Sequence, residues 1–568
     1  MYDPISPFDI PHIADLIGQR LSKKDAISCA LVNKSFYAQF ERWWLRSIRV
    51  WLYKDLLQYY PIPIPLGLEL QEKFLKNRRY IRELDLLEPQ KGELIEFIAN
   101  KLSPCQLVSL RYSGIENDLP PKPILLLMDL IERNPALQTL DLRFFEGADL
   151  ACIRIRLIST ISVSPYLTTL RLWENMNIHY KDYLALLKRL PMTLQTFEID
   201  WCIEEDVEVN EVVHFPDVDW PKVYPNLQNL SMDLNLYELE DILLFPFLRR
   251  CPSLEKLRIT LCEGEIHDKF YPLIADVRVF PRLTNIDIQI ENQSSSSRTP
   301  LVSGMEGRIK TFAMNGPVFQ SPYNMCRRWG TTLEVIRIGW SSTIDGGDIE
   351  LILTNCSKLK TFTVSTDIND HNEDQIRGQT GFWALTRGTY LEANKWVCMD
   401  LEHLEMTFMD VRAADPTILN RSFNQSMLEI QTVTGIHSIY YQIGRLTKLQ
   451  HLRLRWSTVK KFQNRANLDM SIGSGLMHME KLKELEILDV TCIQQVNIEQ
   501  EEVEWMEENW PKLQRIKGLF AKNSRRHCRL SDQEHLCDED ADRVNRDESN
   551  DPMPIQWFRS QRSRLVIT

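Results

Sequence analysis

The sequence predicts an α/β solenoid, with a short helical module followed by a curved stack of strand-and-return units that share a parallel concave sheet. Three observations predict it. A motif L-x-x-L-x-L returns along most of the chain, with clear copies beginning at Leu137, Leu167, Leu194, Leu227, Leu254, Leu283, Leu333, Leu359, Leu401, Leu449 and Leu482, and weaker ones at Ile81, Leu107, Ile309 and Leu513. The copies recur mostly every 24–33 residues or so, about the length of one strand plus one return segment. No unit of that size buries its apolar side alone, so neighbours must stack and leave one long face free for binding.

The spacing and pattern are those of leucine-rich repeats, expected over residues 81–520. A hydrophobic content of 43% supplies a continuous core across 568 residues and argues against wholesale disorder. A net charge of -11 gives no broad basic footprint, so no nucleic-acid partner is expected. The most apolar run, Pro123 to Ile131, is short and interrupted by Asp129, so no membrane partner is expected either. Met1 to Phe8 lacks a basic stretch followed by an apolar one, and twelve cysteines occur without a C-x-x-C pair. Both features fit reduced thiols in the cytoplasm or nucleus.

Residues 1–50 carry a different pattern. Pro11 suits the first turn of a helix, and Ile13, Leu16, Ile17 and Leu21 recur on one face of it. Ser22 with Asp25 three residues on opens a second helix, given apolar character by Ile27, Cys29, Ala30, Leu31 and Val32. After Asn33-Lys34-Ser35, a third helix is loaded with Phe36, Tyr37, Phe40, Trp43 and Trp44. Residues 51–80 are expected to form a helical linker. Periodicity alone leaves open whether the three helices do more than cap the end of the stack.

The order Phe8-Asp9-Ile10-Pro11, then Asp25-Ala26-Ile27, then Leu31-Val32-Asn33-Lys34-Ser35-Phe36 and Trp43-Trp44 resembles an F-box. Ile10 stands where that family usually has leucine, and His12 where an acid is common. Followed by leucine-rich repeats, the module resembles the F-box/leucine-rich-repeat receptors of Skp–cullin–F-box ubiquitin ligases. Tyr440 to Leu446 and Glu502 to Met506, ahead of Trp510 to Leu513, look like the expanded fungal branch. The resemblance implies a substrate-recognition subunit, itself non-catalytic. A Skp-type adaptor would sit on Ile10, Pro11, Ile13, Ile17, Leu21, Ile27, Leu31, Val32, Phe36 and Trp43, linking the chain to cullin and RING subunits, and the repeats would hold an unknown protein substrate. The physics agrees, since so short an apolar helical block leaves a patch for a partner to cover.

Within the repeats, a turn asparagine or cysteine is expected three residues after the last apolar position, at Asn175, Cys202, Asn235 and Cys262. Side chains alternate along a strand, so the residue inside each L-x-L and the one after that motif face the concave side. That reading gives a polar mosaic. The candidates for substrate contact are Arg171, Trp173, Glu198, Asp200, Asp233, Arg258, Asp287, Arg337, Arg453 and Arg455, with an acidic middle and a basic distal pair. Tryptophan and arginine are the residue types enriched at binding hot spots. For any single position, a solvated face is the plainer account.

Two spacings, Leu359 to Leu401 and Leu401 to Leu449, are longer than their neighbours. The first holds a polar, acidic segment, Asp367 to Arg377, and an aromatic one, Gly381 to Trp396, able to fold back. Such insertions read as recognition elements or as tolerated loops. Ser294 to Ser297 reads as a linker. Residues 521–568 form a strongly charged tail expected to be disordered. In it His527, Cys528, His535 and Cys537 match no common zinc spacing, so neither metal nor cofactor is expected. No phosphate loop, dinucleotide fingerprint, H-E-x-x-H or nucleophile elbow occurs. The alternative to a ligase receptor is a non-catalytic repeat scaffold without a ubiquitin connection. A repeat-type regulator of an enzyme would call for a strongly biased concave face, which the mosaic does not offer.

Overall fold

The structure, a computed structural model, describes residues 11–44, 46–51, 74–76, 78–87, 92–113, 121–143, 151–162, 164–173, 180–200, 223–234, 244–263, 273, 276, 278–292, 308–315, 322–339, 346–364, 395–408, 437, 439–456, 470–473, 475–490, 499–518 and 566–567, some by backbone alone. The chain divides into two compact units, Met1–Cys262 with Arg278–Arg282, and Glu263–Val277 with Leu283–Thr568.

The first unit opens with three helices, α1 (Pro11–Arg20), α2 (Lys23–Ala30) and α3 (Lys34–Trp44). Ser22 caps α2, its hydroxyl accepting from Asp25 N at 3.2 Å and donating to Asp25 Oδ2 at 2.6 Å. Asn33 caps α3, its Oδ1 accepting from Phe36 N at 2.9 Å. Each cap satisfies a helix-start N–H that lacks an intrahelical partner. Gly18 of α1 lies against the Trp43 indole of α3, and any side chain there would drive into the ring.

Among the described residues eight parallel strands follow: β1 (Ser47–Trp51), β2 (Glu83–Leu87), β3 (Ser109–Ser113), β4 (Thr139–Arg143), β5 (Thr169–Trp173), β6 (Thr196–Ile199), β7 (Asn229–Leu234) and β8 (Lys256–Glu263). Each pairs in register with the next. One repeat shows why. Leu167, Leu170 and Leu172 are buried, while Thr169, Arg171 and Trp173 face the other way, the two-residue period of a half-buried strand. The return helix Tyr180–Arg189 then buries Tyr183, Leu186 and Leu187, with Leu190 just beyond it, on the i, i+3, i+4, i+7 stripe that packs against the sheet.

Among the described residues the second unit carries nine strands on the same plan: β9 (Asn285–Asn292), β10 (Thr311–Asn315), β11 (Val335–Ile338), β12 (Thr361–Val364), β13 (His403–Phe408), β14 (His451–Trp456), β15 (Ile487–Asp489), β16 (Arg515–Lys517) and β17 (Val566–Ile567). All pair in parallel, each with its neighbour. At the foot of the strands, one carbonyl accepts two N–H groups from the following repeat. Lys360 O takes Glu402 N and His403 N, Glu402 O takes Gln450 N and His451 N, and Gln450 O takes Glu486 N and Ile487 N, all at 2.8–3.0 Å. Of the aromatic segment Gly381 to Trp396, residues 381–394 lie outside the described residues and Trp396 is described. It is buried, its N–H donating to Gln442 Oε1 at 3.3 Å.

These are leucine-rich-repeat-type α/β stacks, as predicted, with three departures. The sheet begins at Ser47 and not at residue 81, because the alternating Ile48-Arg49-Val50-Trp51 pairs along the edge of β2. Of the expected helical linker 51–80, Trp51 is therefore in a strand, residues 74–76 and the 3-10 turn Arg78–Tyr80 are helical, and residues 52–73 lie outside the described residues. The copy assigned to Leu482 starts at Leu485: leucines repeat every three residues there, and the β14 backbone decides the register by pairing Leu452 with Leu488. In the expected tail, Val566–Ile567 pairs with Arg515–Ile516 of β16, whose outer edge offers unpaired backbone groups. Residues 521–551 lie outside the described residues, as do Asn175, Cys202, Asn235, Asp367 to Arg377 and Ser294 to Ser297, and Cys262 is described by backbone alone.

Asn134 holds one inter-repeat turn together. Its Oδ1 accepts from Gln106 N and Leu107 N at 2.8 Å each, and its Nδ2 donates to Leu130 O at 2.7 Å, all out of contact with water. Asn134→Ala orphans two buried N–H groups and is expected to cost about 2–4 kcal/mol, read as a lower midpoint in urea unfolding.

Candidate binding surfaces

On the sheet face turned away from the helices, the central residue of each L-x-L falls into a cross-strand row. In the first unit, Asp85, Arg111, Asp141, Arg171, Glu198, Ser231 and Arg258 are successive register partners. Sign alternates along the first five, and neighbours pair: Arg111 Nε to Asp141 Oδ2 at 2.9 Å and Arg171 Nε to Glu198 Oε2 at 3.0 Å. Asp141, enclosed by Arg111 and Arg143, is almost fully buried, and its hydrogen bond holds the Arg111 guanidinium above its ordinary range. The anticipated exposed Trp173 is half-buried, with the Arg143 guanidinium 5.1 Å from its ring centroid. Glu198 of the expected acidic middle is answered by Arg171, while Asp200 and Asp233 stand half-exposed beside it and Arg258 is exposed. Much of this row is therefore internally neutralised.

The second unit places Asp287, Arg337 and Arg453 on β9, β11 and β14 in the equivalent row. Arg455 pairs its backbone with Thr407, and its side chain lies outside the described residues. A depression of about 420 Å³ opens on this face, lined by β11 to β16. Its inner row is Arg337, Thr363, Glu405, Arg453, Asp489 and Lys517, in consecutive register. Arg453 bridges Glu405 at 3.6 Å and Asp489 at 3.0 Å. The parallel row two residues earlier contributes Thr361, His403, His451, Ile487 and Arg515. The imidazoles of His403 and His451 meet edge to face at 4.2 Å.

The sequence reading missed His403, His451, Asp489, Arg515 and Lys517. The two-residue period carries the signal for the histidines, since the residue before the first strand leucine shares a face with the centre of L-x-L. Asp489 was hidden by the register shift at Leu482.

A second imidazole pair packs elsewhere in this unit: His437 Nδ1 lies 3.1 Å from His478 Nε2, and His437 Nε2 lies 3.2 Å from Gly473 O. Gly444 must remain glycine here, because a Cβ would overlap the His478 carbonyl. Cys326 and Cys356 bring their sulfurs to 3.8 Å in the core, where a hydrogen bond between them and burial hold the Cys356 thiol protonated. Among the described residues no cluster of three metal-ligand types could hold a metal ion, and His527, Cys528, His535 and Cys537 lie outside them. No described helix is long and apolar enough to cross a membrane.

On the helical module, Leu31 and Val32 end α2 with 78% and 63% of their surface exposed, and Ile27 and Tyr37 stand exposed beside them in the chain. Leu16 of α1, 60% exposed, was absent from the adaptor set. Of the residues in that set, Ile13, Ile17, Leu21 and Phe36 are half-buried, the Phe36 ring lying 5.7 Å from the buried Phe40. Trp43 packs on Gly18 and beneath Arg42, so much of it serves the α1–α3 contact. Pro11 is described by backbone alone, and Ile10 lies outside the described residues.

No family model matches the chain, and no curated protein matches it. Among solved structures, the complex of Rad7 and Elc1 in yeast aligns over 92% of this chain and 94% of that chain, with 13% identity and a TM-score of 0.34. An internalin from Listeria monocytogenes aligns over 82% of this chain and 91% of that chain, with 14% identity and a TM-score of 0.29. Both scores are low, and the fold assignment rests on the strand register and burial described above.

The imidazoles set a pH dependence. His451 and His478 both ionise below the ordinary 6.5, each through burial first and its neighbouring imidazole second. Between those lowered values and 6.5 the unfolded chain binds more protons than the folded one, so stability rises with pH. The second unit is expected to keep its full stability above about pH 6.5 and to lose part as pH falls through the folded values. The ion-paired Glu334 and Asp400 ionise below their ordinary 4.5 and 3.8, so their contribution is lost only at more acid pH. Urea midpoints at pH 7.5 and 5.5 should differ, and His451→Gln with His478→Gln should shrink the difference.

Proposed function

We propose that the chain is the substrate-recognition subunit of a cullin-RING ubiquitin ligase of the Skp–cullin–F-box type. The observation that carries this reading is the exposed apolar set Leu16, Ile27, Leu31, Val32 and Tyr37 on a three-helix module whose residue order resembles an F-box. An apolar patch at the end of a short helical block is the feature a docking adaptor covers. The polar sheet faces, with their arginines and Trp173, then serve as the target-binding surface. The role is non-catalytic: the chain holds a target while other subunits transfer ubiquitin. It is expected to act in the cytoplasm or nucleus, where such ligases assemble.

The alternative, a repeat scaffold whose helices only cap the stack, leaves Leu31 and Val32 without a purpose at such exposure. Co-purification of the full chain with a Skp-type adaptor and a cullin decides between them. The adaptor should be retained by the natural chain and lost from Leu31→Asp with Val32→Asp. Both positions are exposed, so the far-ultraviolet circular dichroism of that variant should be unchanged. Truncating a single well-packed anchor is expected to weaken the complex by about 2–4 kcal/mol. Retention by the double variant would overturn the residue assignment, and no retention by the natural chain would favour the scaffold.

A further inference from the structure

The depression on the second unit's sheet differs from the rest of the chain in charge. The chain carries a net charge of -11, yet the depression is lined by Arg337, Arg453, Arg515 and Lys517 against only Glu405 and Asp489. Both of those carboxylates are bridged by Arg453. Among the described residues no carboxylate pairs with Arg337 or Arg515, which stand exposed at opposite ends of the depression, on β11 and β16. Between them lie Thr361, Thr363, the edge-to-face imidazoles and the self-neutralised Arg453 group. The pattern is cationic at both ends and close to neutral in the middle.

Five strand spacings separate β11 from β16, about 24 Å at roughly 4.8 Å each, the length of about seven extended residues. We infer that this depression binds an extended segment of the target protein that carries carboxylate side chains at both ends, about seven residues apart, around an uncharged middle. One end group meets Arg337 and the other meets Arg515 with Lys517. The middle lies along Thr363 and the His403–His451 pair, whose flat rings and threonine hydroxyls accommodate uncharged side chains. The cationic ends suit an acidic segment, since both ends attract its carboxylates.

The inference rests on the sheet serving as the target-binding face and makes no use of the adaptor, so the two readings fail separately. The test is fluorescence anisotropy on the full chain, with a labelled eight-residue peptide bearing two glutamates at each end and four uncharged residues between. Control peptides have glutamine, or lysine, at the ends. The acidic peptide should bind at least tenfold more tightly than either control, and raising the salt should weaken it. Arg337→Glu and Arg515→Glu should each weaken it about fivefold or more, and Lys101→Glu, at the exposed end of the helix Gly92–Lys101 in the first unit, should leave it unchanged. Equal binding of the acidic and glutamine peptides would overturn the inference, as would unchanged binding by the variant carrying both Arg337→Glu and Arg515→Glu. Binding that appears only after Asp538→Asn, Glu539→Gln and Asp540→Asn would also overturn it, by assigning the depression to the chain's own acidic segment. Adaptor co-purification in parallel reports on the ligase reading alone.

Discussion

The shared carbonyl at the foot of the strands is the constraint on which the rest of the structure depends. A single oxygen, such as that of Lys360 or Glu402, accepts two N–H groups from the following repeat. That joint sets where each strand begins relative to the last. Once the starts are aligned, the buried leucines of adjacent repeats fall side by side, and the L-x-L centres fall into a row. A slip of one residue would turn every leucine of a strand toward water and every charge inward. The hydrophobic core and the hydrogen-bonded joint therefore enforce the same register. Turn groups such as Asn134 support it by satisfying backbone donors that the repeat cannot satisfy itself.

The alternation of charge along the sheet face follows from that register. Neighbouring strands bring equivalent residues within reach, where like charges would repel and opposite charges pair. Asp85, Arg111, Asp141, Arg171 and Glu198 alternate without a break, and Glu405, Arg453, Asp489 and Lys517 do so again. Charged side chains on these faces are in large part structural, holding strands together by ion pairs that carry modest energy singly. The alternation ends at positions such as Arg337 beside Thr363, and a ring lies against a cation where Trp173 meets Arg143. The helical module works on another principle. Its aromatic third helix sets Trp43 against Gly18 and buries Phe40, while Leu31 and Val32, just after α2, face outward.

The repeat architecture was legible in the sequence because its determinants are local. Spacing three then two between apolar residues specifies a turn and a half-buried strand, and its recurrence specifies stacking. Even the weak copies at Ile81, Leu107, Ile309 and Leu513 form strands in line. The three N-terminal helices and the Ser22 cap were legible for the same reason. β17 lacks the motif, whereas β1 carries a weak copy, Leu45-x-x-Ile48-x-Val50, and each pairs along a neighbouring edge. Tertiary context alone also chose Leu485 over Leu482, since both satisfy the local pattern and only the β14 backbone distinguishes them.

For the binding surfaces the division is similar. Which residues face the free side of the sheet follows from the two-residue period, so Arg171, Glu198, Arg337 and Arg453 could be named in advance. Their state could not. Whether an arginine is answered by a carboxylate depends on residues about one repeat away, as with Arg171 and Glu198, or Arg453 and Asp489. Whether a leucine of the helical module is core or surface depends on how α1 and α3 close on Gly18, which the apolar pattern does not encode. By itself the sequence determined the repeat, the strand faces and the residue types on offer. Only the tertiary structure decided which charges neutralise each other, where the depression lies and which apolar groups remain uncovered, because those outcomes depend on contacts between repeats and not on the order within one.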